Sequence, residues 1–181
     1  SNLEDYLINT RRYLHEHPEL SGKEIETSNF LKSEVGKLGL DIKDVFGTGF
    51  YAIFDTGREG KTLGIRTDID ALPVTEKEKN LKRDRLCISK NEGVFHACGH
   101  DGHMSMLLAA MKILVENKKN LKGEIIFIFE EGEEAGTGID PMIEALKDED
   151  IDAIYGNHLA SFLQTGKIGI DSGPVLSLIH I

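Results

Sequence analysis

Tryptophan is absent from this chain of 181 residues, and cysteine occurs only at Cys87 and Cys98. Two cysteines are too few for the disulfide framework that staples small secreted domains. No apolar run approaches the roughly 20 residues that a membrane-spanning helix needs. The first residues also lack the basic and apolar segments of a signal peptide. We therefore expect a cytoplasmic protein without a membrane partner.

Positive charge is also scarce, since 21 lysines and arginines face 31 aspartates and glutamates, for a net charge of −10. This balance argues against nucleic acid or an anionic membrane as a partner. The remaining composition, 40% hydrophobic and 29% charged, is ordinary for a globular domain. A chain of this length can bury one substantial core and usually forms one domain.

Hydrophobic periodicity alternates between helical and strand patterns along the chain. Helices are predicted over residues 3–15, 23–38, 102–117 and 140–146, and strands over residues 42–46, 50–55, 62–68, 123–129 and 151–155. The strand at 123–129 is continuously apolar, as in a strand covered on both faces. This order predicts an α/β fold, a three-layer sandwich with a mostly parallel central sheet. Residues 73–95 are predicted to form a polar loop.

The most concentrated chemistry lies between His96 and His103, in the run His-Ala-Cys-Gly-His-Asp-Gly-His. Three of the seven histidines and one of the two cysteines fall within these eight residues. Imidazole and thiolate are strong ligands for transition metals. Because core packing does not explain this density, we interpret the run as part of a metal site.

Further polar residues follow predicted strands: Asp68 and Asp70, then the pair Glu133-Glu134, then His158. Taken singly, each has an ordinary interpretation as a loop cap, a solvated side chain or a packed histidine. Taken together they favour a site, because the carboxyl ends of parallel strands meet at one crevice.

The combined donors are a mixed set of sulfur, nitrogen and oxygen ligands suited to one or two metal ions, contributed by Cys98, His100, Glu134 and His158. Glu133 directly precedes a ligand candidate, so its carboxylate could lie beside the metal and act as a general base.

These motifs resemble the dinuclear metallohydrolase family that includes aminoacylase, carboxypeptidase G, hippurate hydrolase and the plant auxin–amino acid conjugate hydrolases. The His96–His103 run is similar to the mark of the amidohydrolase branch. The segments 11–21, 68–73 and 156–159 also match, so the resemblance extends over almost the whole chain.

The resemblance implies a zinc-exopeptidase-like catalytic domain that cleaves the amide bond of N-acyl amino acids or related amides. It implies two divalent ions, zinc or manganese, held by Cys98, His100, Glu134 and His158. Glu133 would be the general base and acid that activates a metal-bound water. Supporting contacts to the ligands are expected from Asp68, Asp70 and Asp101.

The family also carries a further histidine ligand downstream and a smaller lid domain that dimerises and contacts substrate. We expect residues 1–176 to form the N-terminal part of the catalytic domain and residues 177–181 a non-family tail, with the lid absent. The full-length protein would be a homodimer through that lid. The 181-residue chain is therefore expected to hydrolyse N-acyl amino acids more slowly than about 1 s⁻¹.

Two departures from the family pattern concern charge. Residues 130–132 read Glu-Glu-Gly where the branch usually has Gln-Pro-Ala, and the extra carboxylates could alter the local field or the metal preference. The loop before Phe95 is unusually basic.

Three other functions remain open at this point. A structural metal module would close its site with Cys98, His100 and His103, and would hold one ion tightly. A thiol enzyme would use Cys98 as nucleophile with His100 or His103 as base, and would keep its activity after dialysis against a chelator. A dipeptidase or aminopeptidase of the same family is the nearest rival.

Overall fold

The computed structural model describes residues 2–80 and 83–170 of the chain. Its helices are α1 (Asn2–Glu16), α2 (Ile25–Gly36), α3 (His100–Glu116) and α4 (Ile139–Leu146). Its strands are β1 (Asp41–Asp44), β2 (Phe50–Asp55), β3 (Thr62–Asp68), β4 (Lys79–Asn80), β5 (Arg83–Asp84), β6 (Glu124–Glu130) and β7 (Ala153–Gly156). Single 3-10 turns cover Lys118–Asn120 and Glu133–Ala135. All nine predicted elements occur, two of them (50–55 and 62–68) at the predicted bounds and seven at slightly shifted ones. The predicted tail at 177–181 lies outside the described residues.

The five-stranded sheet has the order β1-β2-β6-β3-β7. Strand β3 runs parallel to both β6 and β7, whereas β2 runs antiparallel to both β1 and β6. Four of the five strands therefore point in one direction, which confirms the mostly parallel sheet. The carboxyl ends of β3, β6 and β7 meet at one edge, where Asp68 is the register partner of Glu130.

Side chains of β6 alternate between two separate cores. Ile125, Phe127 and Phe129 pack with α1, α2 and α3 on one face of the sheet. Ile126 and Ile128 pack with Met142 of α4 on the other face. Helices thus cover both faces, as the uninterrupted apolar strand predicts.

Helix α3 begins at His100, two residues earlier than predicted, after Gly99 in the left-handed conformation (φ 88°). This glycine turns the chain directly from the cysteine-containing loop into the helix. Met104, Leu108 and Met111 bury the helix against the sheet. As a result, His100 and His103 both lie on the first turn, with their rings directed into the protein.

The segment predicted as a polar loop contains a feature that periodicity missed. Residues of β4 and β5 pair in an antiparallel hairpin, with Lys79 opposite Asp84 and Asn80 opposite Arg83. Both strands have only two residues and both are exposed, so no hydrophobic alternation announces them. Within residues 2–80 and 83–170, no helix is long and apolar enough to cross a membrane.

Replacement of Phe127 by alanine tests the central position of β6. Phe127 is fully buried, so Phe127→Ala should lower the free energy of unfolding by about 3–5 kcal/mol, because it leaves a cavity in the larger core. Phe46→Ala is the matched control, since Phe46 is 84% exposed and its loss should change stability by no more than about 0.5 kcal/mol. Urea unfolding followed by circular dichroism measures both, and equal losses would contradict the assigned core.

Candidate metal centre

His100 lies at the centre of the predicted site. Its Nε2 atom is 3.5 Å from Oδ2 of Asp68, 3.7 Å from Oε1 of Glu134 and 3.8 Å from Oε2 of Glu133. The three carboxylates come from the end of β3 and from the turn after β6. The sheet edge therefore brings together residues that are more than 60 positions apart in the sequence.

Asp70 fixes the orientation of the His100 ring by hydrogen bonds at Nδ1. Nδ1 lies 2.9 Å from the carbonyl oxygen and 3.1 Å from Oδ1 of Asp70, so Nδ1 carries the proton and donates it. The lone pair is then on Nε2, which is buried and has no hydrogen-bond partner among the described residues. An unsatisfied buried nitrogen is costly, and a cation at this position would satisfy it.

Asp70 is fully buried and holds three segments at once. Besides His100, its Oδ2 atom accepts hydrogen bonds from the hydroxyl of Ser21 (2.6 Å) and the backbone N–H of Glu134 (3.0 Å). Burial alone would raise the pKa of Asp70, but the hydrogen bonds from His100, Ser21 and Glu134 lower it overall. Asp70 is therefore charged at neutral pH and anchors the turn that carries Glu133 and Glu134.

Asp68 is the second buried carboxylate of the site. Burial acts to raise its pKa, but the hydrogen bond with His103 and the charges of His100, His103 and Arg66 lower it to about 2. Oδ1 of Asp68 accepts from Nδ1 of His103 at 2.8 Å, and Arg66 Nη1 lies 3.0 Å from Oδ2. Asp68 thus remains ionised beside the unpaired nitrogen of His100.

His103 has both ring nitrogens occupied. Nδ1 donates to Asp68, while Nε2 accepts the backbone N–H of Leu159 at 2.9 Å. Asp68, His100 and His103 do present donor atoms within 4.8 Å of one another. Both nitrogens of His103 are nevertheless hydrogen-bonded, and Nε2 holds the backbone of Leu159. Metal binding by His103 would require one of these two hydrogen bonds to break.

Cys98 and His158 also lie close to His100. The Cys98 sulfur lies 3.4 Å from Nε2 of His158, and Nδ1 of His158 is 2.7 Å from the carbonyl oxygen of Leu159, to which it donates. The donor atoms of Cys98, His100 and His158 all lie within 4.8 Å of one another. Three of the four predicted ligands are therefore already grouped around one point.

The fourth predicted ligand, Glu134, is in none of the candidate ligand groups of the described residues. Its carboxylate nevertheless lies close to His100 and raises the pKa of the Cys98 thiol. A further group combines Asp70, His100 and Glu133. His100 thus belongs to every candidate group of the described residues, and carboxylates line the space around its free nitrogen.

Electrostatics around these groups favour an added cation. Burial lowers the pKa of His100, but Asp70 and Asp68 outweigh it and raise the pKa overall. Burial, followed by the hydrogen bond and charge of Glu134, raises the pKa of the Cys98 thiol to about 12. With no cation nearby, Cys98 is a neutral thiol at pH 7, which is a poor state for a nucleophile.

Glu133 has the environment expected of a proton acceptor. Burial and the neighbouring Glu134 carboxylate raise the pKa of Glu133 above its usual range. Its side chain remains 40% exposed, so a substrate or water can reach it. A carboxylate of raised pKa next to a metal site is suited to general acid–base catalysis.

The two extra acidic residues before Gly132 contact Arg66 and Thr48 and support the loop. Glu130 pairs with Arg66 at 2.8 Å, and Glu131 accepts from the backbone N–H of Thr48 at 2.5 Å. Gly132 adopts φ 58°, and a Cβ there would collide with the hydroxyl of Thr137. Buried Glu24 completes the anchor by accepting the N–H of Gly132 at 2.8 Å. Sequence reasoning missed these roles because the partners lie in distant segments.

Asp101 and His96 lie behind the site. Asp101 binds His15 Nδ1 (2.7 Å) and Arg11 Nε (3.0 Å) on α1, and its described side-chain contacts reach none of the predicted ligands. His96 is buried with both ring nitrogens unpartnered in the described part of the chain, and burial lowers its pKa to about 4. His96 is therefore neutral at pH 7.

Comparisons with known proteins agree with this architecture. The chain is 39% identical over 180 residues to N-acetyl-L-cysteine deacetylase of Bacillus subtilis, with 99% of this chain and 42% of that protein covered. It is 40% identical over 179 residues to thermostable carboxypeptidase 1 of Saccharolobus solfataricus, with 97% and 44% covered.

Among solved structures, the YXEP protein of Bacillus subtilis, described as a dinuclear metal binding peptidase from M20 family, superposes with a TM-score of 0.86. Sequence identity is 36%, and 96% of this chain and 47% of that chain are covered. The chain thus spans less than half the length of these relatives. Residues 64–174 match the sequence model of Peptidase family M20/M25/M40. This span runs from β3 through the cysteine-containing loop and β6 to beyond His158, so it includes the segments of the candidate metal centre. The chain belongs to peptidase family M20/M25/M40.

Proposed function

We propose that this chain provides the metal centre of an amidohydrolase that cleaves the amide bond of N-acyl amino acids or related amides. The observation that carries the proposal is the unpaired, buried Nε2 of His100, which faces the carboxylates of Glu133 and Glu134. The deacetylase and carboxypeptidase similar to this chain, as their names state, act on amide-linked amino acids.

Two divalent ions, zinc or manganese, are the proposed cofactor. Cys98, His100, Glu134 and His158 would hold them, since thiolate, imidazole and carboxylate are the ligands that these metals accept. Bound ions of this kind polarise a carbonyl and lower the pKa of water. The unpaired Nε2 of His100 and the carboxylates around it fit that role.

The chain's own residues divide the remaining work. Glu133 takes a proton from the attacking water and returns it to the nitrogen that leaves the amide. Asp70 orients His100 and holds the backbone of Glu134, so it fixes the distance between ligand and base. Asp68 orients His103, which in turn holds Leu159 beside His158. Each support reduces the freedom of a group that must act.

The finer expectations from the sequence remain part of this proposal. They are the choice between zinc and manganese, the cytoplasmic location, the downstream histidine ligand, the dimerising lid and the non-family tail at 177–181.

The raised pKa of Cys98 argues against a thiol nucleophile. Cleavage of dipeptides in preference to N-acyl amino acids would favour the dipeptidase or aminopeptidase alternative.

Glu133→Gln tests the proposed base. The variant keeps the size of the side chain but cannot accept a proton, so hydrolysis of N-acetyl amino acids should fall by about 10²–10⁴-fold with bound metal unchanged. Release of free amino acid measures the rate, in the 181-residue chain and in the complete product of its gene. Glu59→Gln is the matched control on an exposed loop and should be silent. Activity in Glu133→Gln within tenfold of the unmodified protein would refute the assignment.

Cys98→Ser tests the metal ligands. Serine is a poor ligand for zinc, so the variant should bind zinc at least about tenfold more weakly in a calorimetric titration of the chain. Cys87→Ser, which changes the other thiol, should bind as the unmodified chain does. Two exchangeable ions per chain, and loss of activity on chelation, are expected. One chelator-resistant zinc would instead indicate a structural module.

A further inference from the structure

A cavity lies between α1 and the β4–β5 hairpin, with a volume of about 850 Å³. Its charged lining includes Arg11, Arg12, His15, Arg83, Asp84 and Arg85, and we call it the arginine cavity. None of the proposed metal ligands is among the lining residues. The cavity therefore needs its own explanation, especially in a chain with a net charge of −10.

His15 contributes a positive charge to one wall. Its Nδ1 atom lies 2.7 Å from Asp101 and its Nε2 atom 2.9 Å from Glu76, and both partners are buried carboxylates. A neutral imidazole has one N–H, so only the imidazolium can donate to both acceptors. The pKa of His15 is raised because its hydrogen bonds to Asp101 and Glu76 outweigh the effect of burial, which agrees with this state.

The charges of the two buried carboxylates, Asp101 and Glu76, are balanced by cations of the same wall. Asp101 also pairs with Arg11 (3.0 Å), and Glu76 also pairs with Arg85 (3.3 Å). Three cations thus face two anions, which leaves one positive charge in excess. Nε of Arg85 is buried and has no hydrogen-bond partner in the ranges 2–80 and 83–170, so the wall retains an unused donor.

Two further cations line the cavity. Arg12 and Arg83 form no ion pair within the described residues, and both are exposed to the cavity mouth. Asp84 is their only acidic neighbour in the lining, and it lies 3.8 Å from Lys79. Among the described residues, positive charge at the cavity therefore exceeds the negative charge of Asp84, Asp101 and Glu76.

Arginine donors in this arrangement select for oxyanions. The guanidinium group presents a planar fork of N–H donors that matches phosphate and carboxylate oxygens. A single carboxylate would leave much of the excess charge unpaired, whereas an anion of two or more charges could use several forks at once. The cavity volume falls in the range of small-molecule sites rather than of a lone bound ion.

We propose that the arginine cavity binds a small oxyanion of two or more negative charges, the phosphoryl end of an organic phosphate or pyrophosphate. The site is separate from the proposed hydrolytic centre and does not depend on its chemistry. It uses Arg12 and Arg83 as the free cations, with Arg11, Arg85 and the His15 imidazolium behind them.

Pyrophosphate is the probe, titrated calorimetrically into the 181-residue chain in buffer freed of metal on a chelating resin, at constant ionic strength. The double variant Arg12→Gln/Arg83→Gln should bind at least tenfold more weakly, because both free cations are removed. The control Lys122→Gln/Lys147→Gln removes two positive charges from exposed positions elsewhere and should bind as the unmodified chain does. Glu134→Gln should also leave binding unchanged.

A second measurement locates the ligand without altering the arginines. Cys87 lines the cavity, so pyrophosphate should slow alkylation of Cys87 by iodoacetamide several-fold in the Cys98→Ser variant. The proposal is overturned if the unmodified chain does not bind pyrophosphate at 10 mM (roughly the weak limit of specific binding), or if both double variants lose affinity equally. Loss of binding in Glu134→Gln, or unchanged alkylation of Cys87 at saturation, would place the anion elsewhere and overturn it as well.

Discussion

The contact between Asp70 and His100 is the constraint on which the rest of the site depends. A fully buried carboxylate is costly unless donors surround it, and Asp70 draws its donors from Ser21, from the first turn of α3 and from the backbone of Glu134. Three segments far apart in sequence are thereby fixed around one side chain. The same contact decides which nitrogen of His100 carries the proton, and so makes the other available to a metal.

The sheet makes this contact possible by bringing the three segments to one edge. Strand β6 is apolar on both faces and packs between two cores, which fixes its register against β3. Asp68 and Glu130 are then paired across the strands, with Arg66 between their carboxylates. Packing energy far from the site thus holds like charges close together, and Arg66 offsets part of their repulsion. Without the rigid sheet, the acidic turn after β6 would be free to move into solvent.

Sequence reasoning succeeded where a signal is local. The apolar run of β6 lies within a few residues and predicts the sheet that the structure contains. The strand-end carboxylates and the dense cysteine–histidine run are also local, and the structure brings their donor atoms close together. It failed where the partner is remote: His15 finds its acceptors at Glu76 and Asp101, 61 and 86 positions away. Glu131 likewise resembles solvated surface in the sequence, yet the structure buries it against Thr48. The hairpin of β4 and β5 escaped because pairing of two-residue exposed strands leaves no hydrophobic pattern.

Two buried histidines in this fold show how the balance of neighbours, rather than the residue type, sets the chemistry. Around Nε2 of His100 lie Asp68, Glu133 and Glu134, and no N–H of residues 2–80 or 83–170 donates to this nitrogen. The ring of His15 also meets carboxylates, but both of its nitrogens are used, and Arg11 and Arg85 neutralise the acids. The surroundings of His100 therefore have excess negative charge, and its Nε2 lone pair is available. The surroundings of His15 have excess positive charge, and neither of its nitrogens is available. Asp101, next in sequence to His100, is bound by His15. The proposed metal centre and the proposed anion cavity are therefore connected through one buried ion pair.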